Sequence, residues 1–217
     1  MLKKMRNYCL SSILILICLF SCGPADAQKG WISLFDGKSL DGWKVGENAS
    51  TFSVEDGAIK VAGPKAHLYY IGSVSNHVFR NFEFKARVKT TKGSNSGIYF
   101  HTQYQEKGWP IHGFEVQINN THGDYIKTGS LYEVVDVREV FVKDDEWFTE
   151  HIIVRGNHVV IKINDTVVVD YTQPANPLRV TEERKTRVIN PGTFAIQGHD
   201  PKSVVYLKDI QVKILKD

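Results

Sequence analysis

Gly113-Phe114-Glu115-Val116-Gln117-Ile118-Asn119 alternates without a break. Successive side chains of an extended chain point to opposite faces. Phe114, Val116 and Ile118 therefore share one face, and Glu115, Gln117 and Asn119 the other. The first face suits a core. The second is unlike that of a strand that merely meets water, where Lys, Thr and Arg are commoner. One acid among amides suits a surface that grips hydroxyl groups: amides both donate and accept, and a carboxylate accepts and acts as a base. The stretch reads as a strand with a buried side and a sugar-facing side.

The chain around it repeats the pattern. Residues 81–89 set Phe82, Phe84, Ala86 and Val88 against Glu83, Lys85, Arg87 and Lys89. Residues 52–54 and 58–61 flank Glu55-Asp56-Gly57, a hairpin turn signal. Strands are also expected over 97–102, 129–135, 192–197 and 204–214. Residues 151–155, 158–163 and 166–170 form a meander with turns at Gly156-Asn157 and Asn164-Asp165. Helical periodicity is nearly absent; only 39–43 and 179–185 have room for a helical turn. Many strands with one apolar face imply an all-β fold, a sandwich of two antiparallel sheets on a shared core. Longer loops at 103–113, 121–129, 136–145 and 172–190 form the natural rim of a binding site.

The N-terminus reads as a targeting segment. Lys3, Lys4 and Arg6 precede a short apolar run over 10–20, which ends in Leu19-Phe20-Ser21-Cys22-Gly23. This resembles a bacterial lipoprotein signal, with Cys22 the acylated residue and a lipid anchor in the cell envelope as the consequence. The expected division is a signal over 1–22, a tether over 23–30 and one domain over 31–217. Cys9 and Cys18 fall inside the signal, so the mature domain holds no thiol for disulfides, metal ligation or catalysis. The formal charge of +3 vanishes with the three basic residues of the signal, and no basic patch marks a nucleic-acid partner.

Ordered motifs then add a resemblance. Leu34-Phe35-Asp36-Gly37-Lys38-Ser39-Leu40-Asp41-Gly42-Trp43, Ser94-Asn95-Ser96-Gly97-Ile98-Tyr99-Phe100, Gly113 to Ile118 as quoted, and Thr128-Gly129-Ser130-Leu131-Tyr132 follow one another in the chain. Glu146-Trp147, Asn164-Asp165 and Ala195-Ile196-Gln197-Gly198-His199 complete the series. The set is similar to that of the 3-keto-disaccharide hydrolase family. The resemblance implies a concanavalin-A-like jelly roll and action on glycosides whose C3 hydroxyl has been oxidised to a ketone. Phe148, His101 and the 205–210 segment depart from the usual family residues.

Such a substrate sets the chemistry. The C3 ketone acidifies the hydrogen on C2, and its removal expels the group on C1. A base is needed near C2, together with a stabiliser for the enolate oxygen and a clamp near the glycosidic oxygen. Glu115 is the candidate base and His199 the second catalytic group, since His gains or loses a proton near neutral pH. Strand parity adds His101, Gln117, Asn119, Tyr132, Gln197 and Tyr99 as substrate-binding candidates. Trp109, Tyr104 and Tyr125 lie in loops, where a ring stacks on a pyranose face. Trp31, Trp43 and Trp147 are expected in the core, His151 and His158 on the meander surface, and His67 in a loop. No cofactor is required by the residues, but a divalent metal stays open, with His101, Glu115 and His199 as candidate ligands. A carbohydrate-binding lipoprotein using the same face without turnover is the alternative reading. Oligomeric state has no signature.

Overall fold

The computed structural model describes residues 30–177 and 187–216. The signal, Cys22, most of the tether and the 179–185 region lie outside the described residues. In chain order the strands are β1 (Ile32–Ser33), β2 (Trp43–Val45), β3 (Phe52–Glu55), β4 (Ala58–Ala62), β5 (Ala66–Tyr70), β6 (Phe82–Thr90) and β7 (Ser96–Thr102). They continue as β8 (Phe114–Ile118), β9 (Phe148–Arg155), β10 (His158–Ile163), β11 (Thr166–Thr172), β12 (Thr193–Gly198) and β13 (Val204–Ile214).

These strands form two sheets in which every pairing is antiparallel. One runs β11-β10-β9-β6-β13-β4-β3, with β1 also on β13, and the other runs β2-β5-β12-β7-β8. The architecture is the concanavalin-A-like jelly-roll sandwich. Its core follows from alternation. Phe82, Phe84, Ala86 and Val88 of β6 are buried while the residues between them are not. From the facing sheet come Ile98 and Phe100, Phe114, Val116 and Ile118, and Phe194 and Ile196, all at most 1% exposed. Phe194 meets Phe79, Phe82 and Phe84 at ring-centroid distances of 4.5, 4.9 and 4.6 Å, which ties the two sheets together.

Several expectations change. The helical turn at 39–43 is a chain reversal, closed by Trp43 N–H to the Leu40 carbonyl at 2.9 Å, and Trp43 already belongs to β2. Residues 129–135 make no strand. Gly129 (φ +88°) and Glu133 (φ +56°) sit in the left-handed region, so the chain turns twice, and only isolated bridges tie Leu131 to Val116 and Val135. An unforeseen strand, β5, carries Ala-His-Leu-Tyr-Tyr; all five residues are buried, so no polar alternation marks it. His67 is therefore a strand residue, not a loop one. His151 is buried rather than on the surface: its Nε2 lies 3.1 Å from Glu83 Oε2, and its ring packs edge-on to Trp31. Burial first, with Lys85 second, pushes the His151 imidazole down to about 4 against the pull of Glu83. Trp43 is in the core as expected, but Trp31 and Trp147 are half-buried under lysine ammonium groups.

Candidate active site

The outer face of the five-stranded sheet carries the polar set. Register places Ala195 of β12 opposite Tyr69 of β5 on one side and Tyr99 of β7 on the other, and Tyr99 opposite Glu115 of β8. In the adjacent row Gln197 faces His67, and Gly97 faces Gln117. Three strands, β7, β8 and β12, thus bring Glu115, Gln117, Tyr99 and Gln197 together, as parity predicted. A cavity of about 640 Å³ opens above them. That volume lies within the usual range for small-molecule sites. It is lined by these four residues and by Asn95, Trp109, Tyr132, Arg187, His199 and parts of the 105–111 and 124 loops.

Glu115 lies on the floor, 4% exposed. Tyr99 Oη donates to its Oε2 at 2.6 Å and Gln197 Nε2 donates to its Oε1 at 2.7 Å. Burial raises the Glu115 carboxyl above its ordinary value; Tyr99, Arg187, Gln197 and His199 oppose the rise. Tyr99 moves the same way, since burial and then the adjacent Glu115 keep its phenol protonated and a donor. A carboxylate has about four acceptor positions, so two donors leave it lone pairs for a substrate proton.

Gly97 makes this geometry. The Glu115 side chain leans over it to reach Gln197, and a Cβ added at Gly97 would fall 2.5 Å from Glu115 Oε1. A strand glycine without a side chain is the device for such an approach. Gly97→Ala is expected to displace the carboxylate from Gln197 while the sheet persists. Any reaction that uses this carboxylate should slow by about 100-fold, as a misplacement near 1 Å costs, with far-UV circular dichroism unchanged.

His199 follows β12 and lines the cavity. Its Nδ1 meets Asp200 Oδ2 at 2.8 Å, and Ser203 Oγ donates to the same oxygen at 2.8 Å. Burial pushes the Asp200 carboxyl up, but hydrogen bonds from His199, Ser203 and the Lys202 amide outweigh it and hold the group down to about 2. Trp109 stands 5.6 Å from the His199 ring and 5.5 Å from that of His67, with 43% of its surface exposed. Burial, then Lys65 and His199, drives the His67 imidazole down to about 3, so it braces Trp109 and Tyr99 as a neutral ring. Tyr132 reaches the cavity from the double turn rather than from a strand.

Two binding candidates are not in the cavity. Between Thr193 and Ala195 the β12–β7 register shifts, so β7 carries an extra residue and His101 takes φ +56°. The bulge turns the ring against Phe82 and Phe100 and sets its Nε2 2.9 Å from the Arg80 carbonyl. Burial holds this imidazole down to about 4. The expected metal trio of His101, Glu115 and His199 is therefore not assembled. Asn119 keeps its parity but spends its amide on its own loop, donating to the carbonyls of Asp124 at 3.0 Å and Ile126 at 2.8 Å. It shapes the 120–129 loop instead of meeting a ligand. Tyr104 rests on Tyr69 under Lys44, and Tyr125 lies beside Arg138; neither lines the cavity.

Arg187 falls within the 172–190 stretch expected on the rim, but no residue pattern singled out the arginine itself. Its charge acts on both Glu115 and Tyr99. Arg187 Nη1, Gln117 Oε1, Gln197 Oε1 and Asn95 Oδ1 are buried without a hydrogen-bond partner among the described residues, and all four belong to residues lining the cavity. Buried polar atoms are nearly always paired. A cluster of orphans around one hollow marks where a polar ligand supplies the missing partners.

Fold and site together define a jelly-roll sandwich with a polar, ligand-sized cavity on its outer sheet. The chain belongs to the family of the 3-keto-alpha-glucoside-1,2-lyase-like domain, whose model matches residues 30–213. It is similar to a 3-keto-disaccharide hydrolase of Bacteroides thetaiotaomicron, at 31% identity over 175 residues, covering 68% of this chain and 60% of that protein. The chain thus spans about three fifths of that curated relative. A Parabacteroides distasonis protein, provisionally described as a glycosyl hydrolase, superposes with a TM-score of 0.70 at 23% identity over 86% of this chain and 94% of the other. Carbohydrate-binding module CBM66 of Bacillus subtilis superposes with a TM-score of 0.55 at 10% identity, over 79% and 95%. These structural likenesses speak for the fold.

Proposed function

We propose that the protein cleaves 3-keto-glycosides, disaccharides among them, by abstraction of the C2 proton. Glu115 takes the proton, and the electron pair passes into the C3 carbonyl as an enolate. The Arg187 guanidinium supplies positive charge for that oxygen. Collapse of the enolate expels the glycosidic oxygen from C1, and His199, braced by Asp200, is the electrophilic group assigned to receive it. Water added to the resulting enone completes a net hydrolysis. Trp109 stacks on a sugar ring, and Gln117, Gln197 and Tyr132 bind hydroxyls. The observation that carries this reading is the single buried carboxyl on the cavity floor, raised toward neutrality and oriented by Tyr99 and Gln197. Ordinary glycoside hydrolysis uses two carboxyl groups facing each other across the bond. Here Asp124 is the other acid on the cavity lining, and it stands in the loop that Asn119 pins.

The family relationship and the name of the Bacteroides relative support the substrate class. The lipoprotein-like signal supports an envelope location with Cys22 as the anchor, and the domain over 31–217 as the working part. The test compares a 3-keto-disaccharide with its unoxidised parent. Released sugar from the first alone is the expected outcome. Equal cleavage of the parent would make the protein an ordinary glycosidase. Binding of the keto sugar with no product would make it a carbohydrate-binding module.

A further inference from the structure

We infer that His122, His199 and Asp200 form a binding site for one divalent metal ion at the wall of the cavity. The inference rests on the proposed function only for what the ion acts upon; the site itself rests on geometry.

One ligand atom from each of the three residues lies within 4.8 Å of the others. The two imidazole rings are 5.6 Å apart at 65°. Neighbouring ligands of a tetrahedral zinc, with bonds near 2.0–2.1 Å, stand about 3.3 Å apart. Closing the set from 4.8 Å takes about 1.5 Å at most, shared between partly exposed side chains. His199 Nδ1 and Asp200 Oδ2 are already 2.8 Å apart, a spacing at which a cation replaces the shared proton. Two imidazoles and a carboxylate suit zinc or its borderline neighbours rather than calcium or magnesium.

The surroundings are built for such a pair of imidazoles. Asn119 and Lys127 fix the loop that carries His122: the Asn119 amide holds the Asp124 and Ile126 carbonyls, and Lys127 Nζ donates to the His122 and Asp124 carbonyls at 2.8 and 2.7 Å. Ser203 Oγ holds Asp200 in place, and in turn receives the Asn95 amide N–H at 2.9 Å. The Asn95 side chain, 2% exposed, lies 3.3 Å from His122 Nδ1, and its Oδ1 has no partner among the described residues. A metal-bound histidine donates its other ring N–H to a neighbouring acceptor, which fixes ring and tautomer. Rotation of the Asn95 amide sets its orphan oxygen against His122 Nδ1 in that role. His122 then gives up the Asp124 N–H contact at 3.2 Å and coordinates through Nε2.

His199 borders the cavity, so three protein ligands leave the remaining coordination position open to it, the arrangement of catalytic rather than structural zinc sites. On the proposed reaction, the ion takes up negative charge on the departing oxygen, and His199 serves as a ligand instead of the proton source.

The experiment uses the mature protein stripped with chelator, then titrated calorimetrically with Zn²⁺ and with Mn²⁺, with bound metal counted by elemental analysis. One ion per chain is expected. His122→Ala should weaken binding by about 100-fold or more, and Asp200→Asn should weaken it as well. Glu115→Gln, outside the trio, should bind the ion like the wild type. Should His122→Ala fail to fold, His122→Asn and Asp200→Asn carry the same comparison. Absent binding, or binding that neither His122 nor Asp200 variants alter, overturns the site. Turnover of a 3-keto-disaccharide without stoichiometric metal would remove the site and leave the reaction. Stoichiometric metal without turnover would retain the site and remove the reaction.

Discussion

Glu115→Gln should lower kcat on a 3-keto-disaccharide by about 1,000-fold while the protein folds as before. General-base catalysis is worth roughly 10²–10⁴, and an amide has no basic oxygen of that strength. The substitution keeps shape and length. Gln197 Nε2 still finds an oxygen on the new amide, and the Tyr99 hydroxyl rotates to accept from its NH₂. Burial opposes the charged form of the native residue, so a neutral replacement adds no desolvation cost. The thermal midpoint should hold or rise slightly, which separates loss of chemistry from loss of fold. KM should change little, because the orphan acceptors Gln117 Oε1 and Gln197 Oε1 remain for the sugar. The pH profile gives an independent check. A base works in its ionised form, and burial raises this carboxyl above its ordinary 4.5. The acidic limb of kcat/KM should therefore lie above 4.5 in the wild type and disappear from the residual rate of the variant. Unchanged turnover in Glu115→Gln would remove Glu115 as the base.

Much of this floor was legible in the chain, because a half-buried strand writes its two faces as alternation. The quoted stretch around Glu115 placed Glu115 and Gln117 together, and the same rule placed Tyr99 and Gln197 on matching faces of their own strands. The rule fails where backbone departs from the regular pleat. One extra residue in β7 swings His101 out of phase, and no side chain announces a bulge. It fails too where both faces are covered: β5 is apolar on one side and roofed by Trp109 on the other, so His67 gave no strand signal. Asn119 shows a third limit. Parity tells which way an amide points, but not whether a nearby loop carbonyl already claims it. Arg187 and His122 fall in the 172–190 and 121–129 stretches whose length marked them as rim, but which of their residues reach the site depends on the closed fold and not on local pattern.

Glu150→Met should stabilise the protein, and more so at pH 8 than at pH 4.5. Glu150 stands in β9 on the side that faces the core, opposite Ala86 and Ile163 in the neighbouring strands. It is fully buried, and neither carboxyl oxygen has a hydrogen-bond partner among the described residues. Burial first, then the charge of Glu115, raises its pKa well above 4.5. Its neutral form is therefore favoured over the charged one, and both oxygens are desolvated and uncompensated. A buried polar group without a partner costs about 1–3 kcal/mol, and an unbranched thioether of similar length restores dispersion contacts at small packing cost. For a domain of this size each kcal/mol moves the thermal midpoint by about 2–4 °C. The pH dependence has a definite sign. The folded state binds the Glu150 proton more tightly than the unfolded chain, so its contribution is fully present below 4.5, where both states hold the proton. It is lost as pH rises toward the raised folded-state value, because only the unfolded chain releases the proton over that span. Methionine has no such term. Urea midpoints of both proteins at pH 4.5 and 8 should show the variant ahead, with the gap wider at pH 8. A methionine variant less stable than the wild type at pH 8 would mean that Glu150 has partners worth more than its desolvation cost. Because Glu150 lies on the opposite sheet from the cavity floor, Glu150→Met should also leave the rate on a 3-keto-disaccharide intact, which separates this buried acid from Glu115, the proposed base.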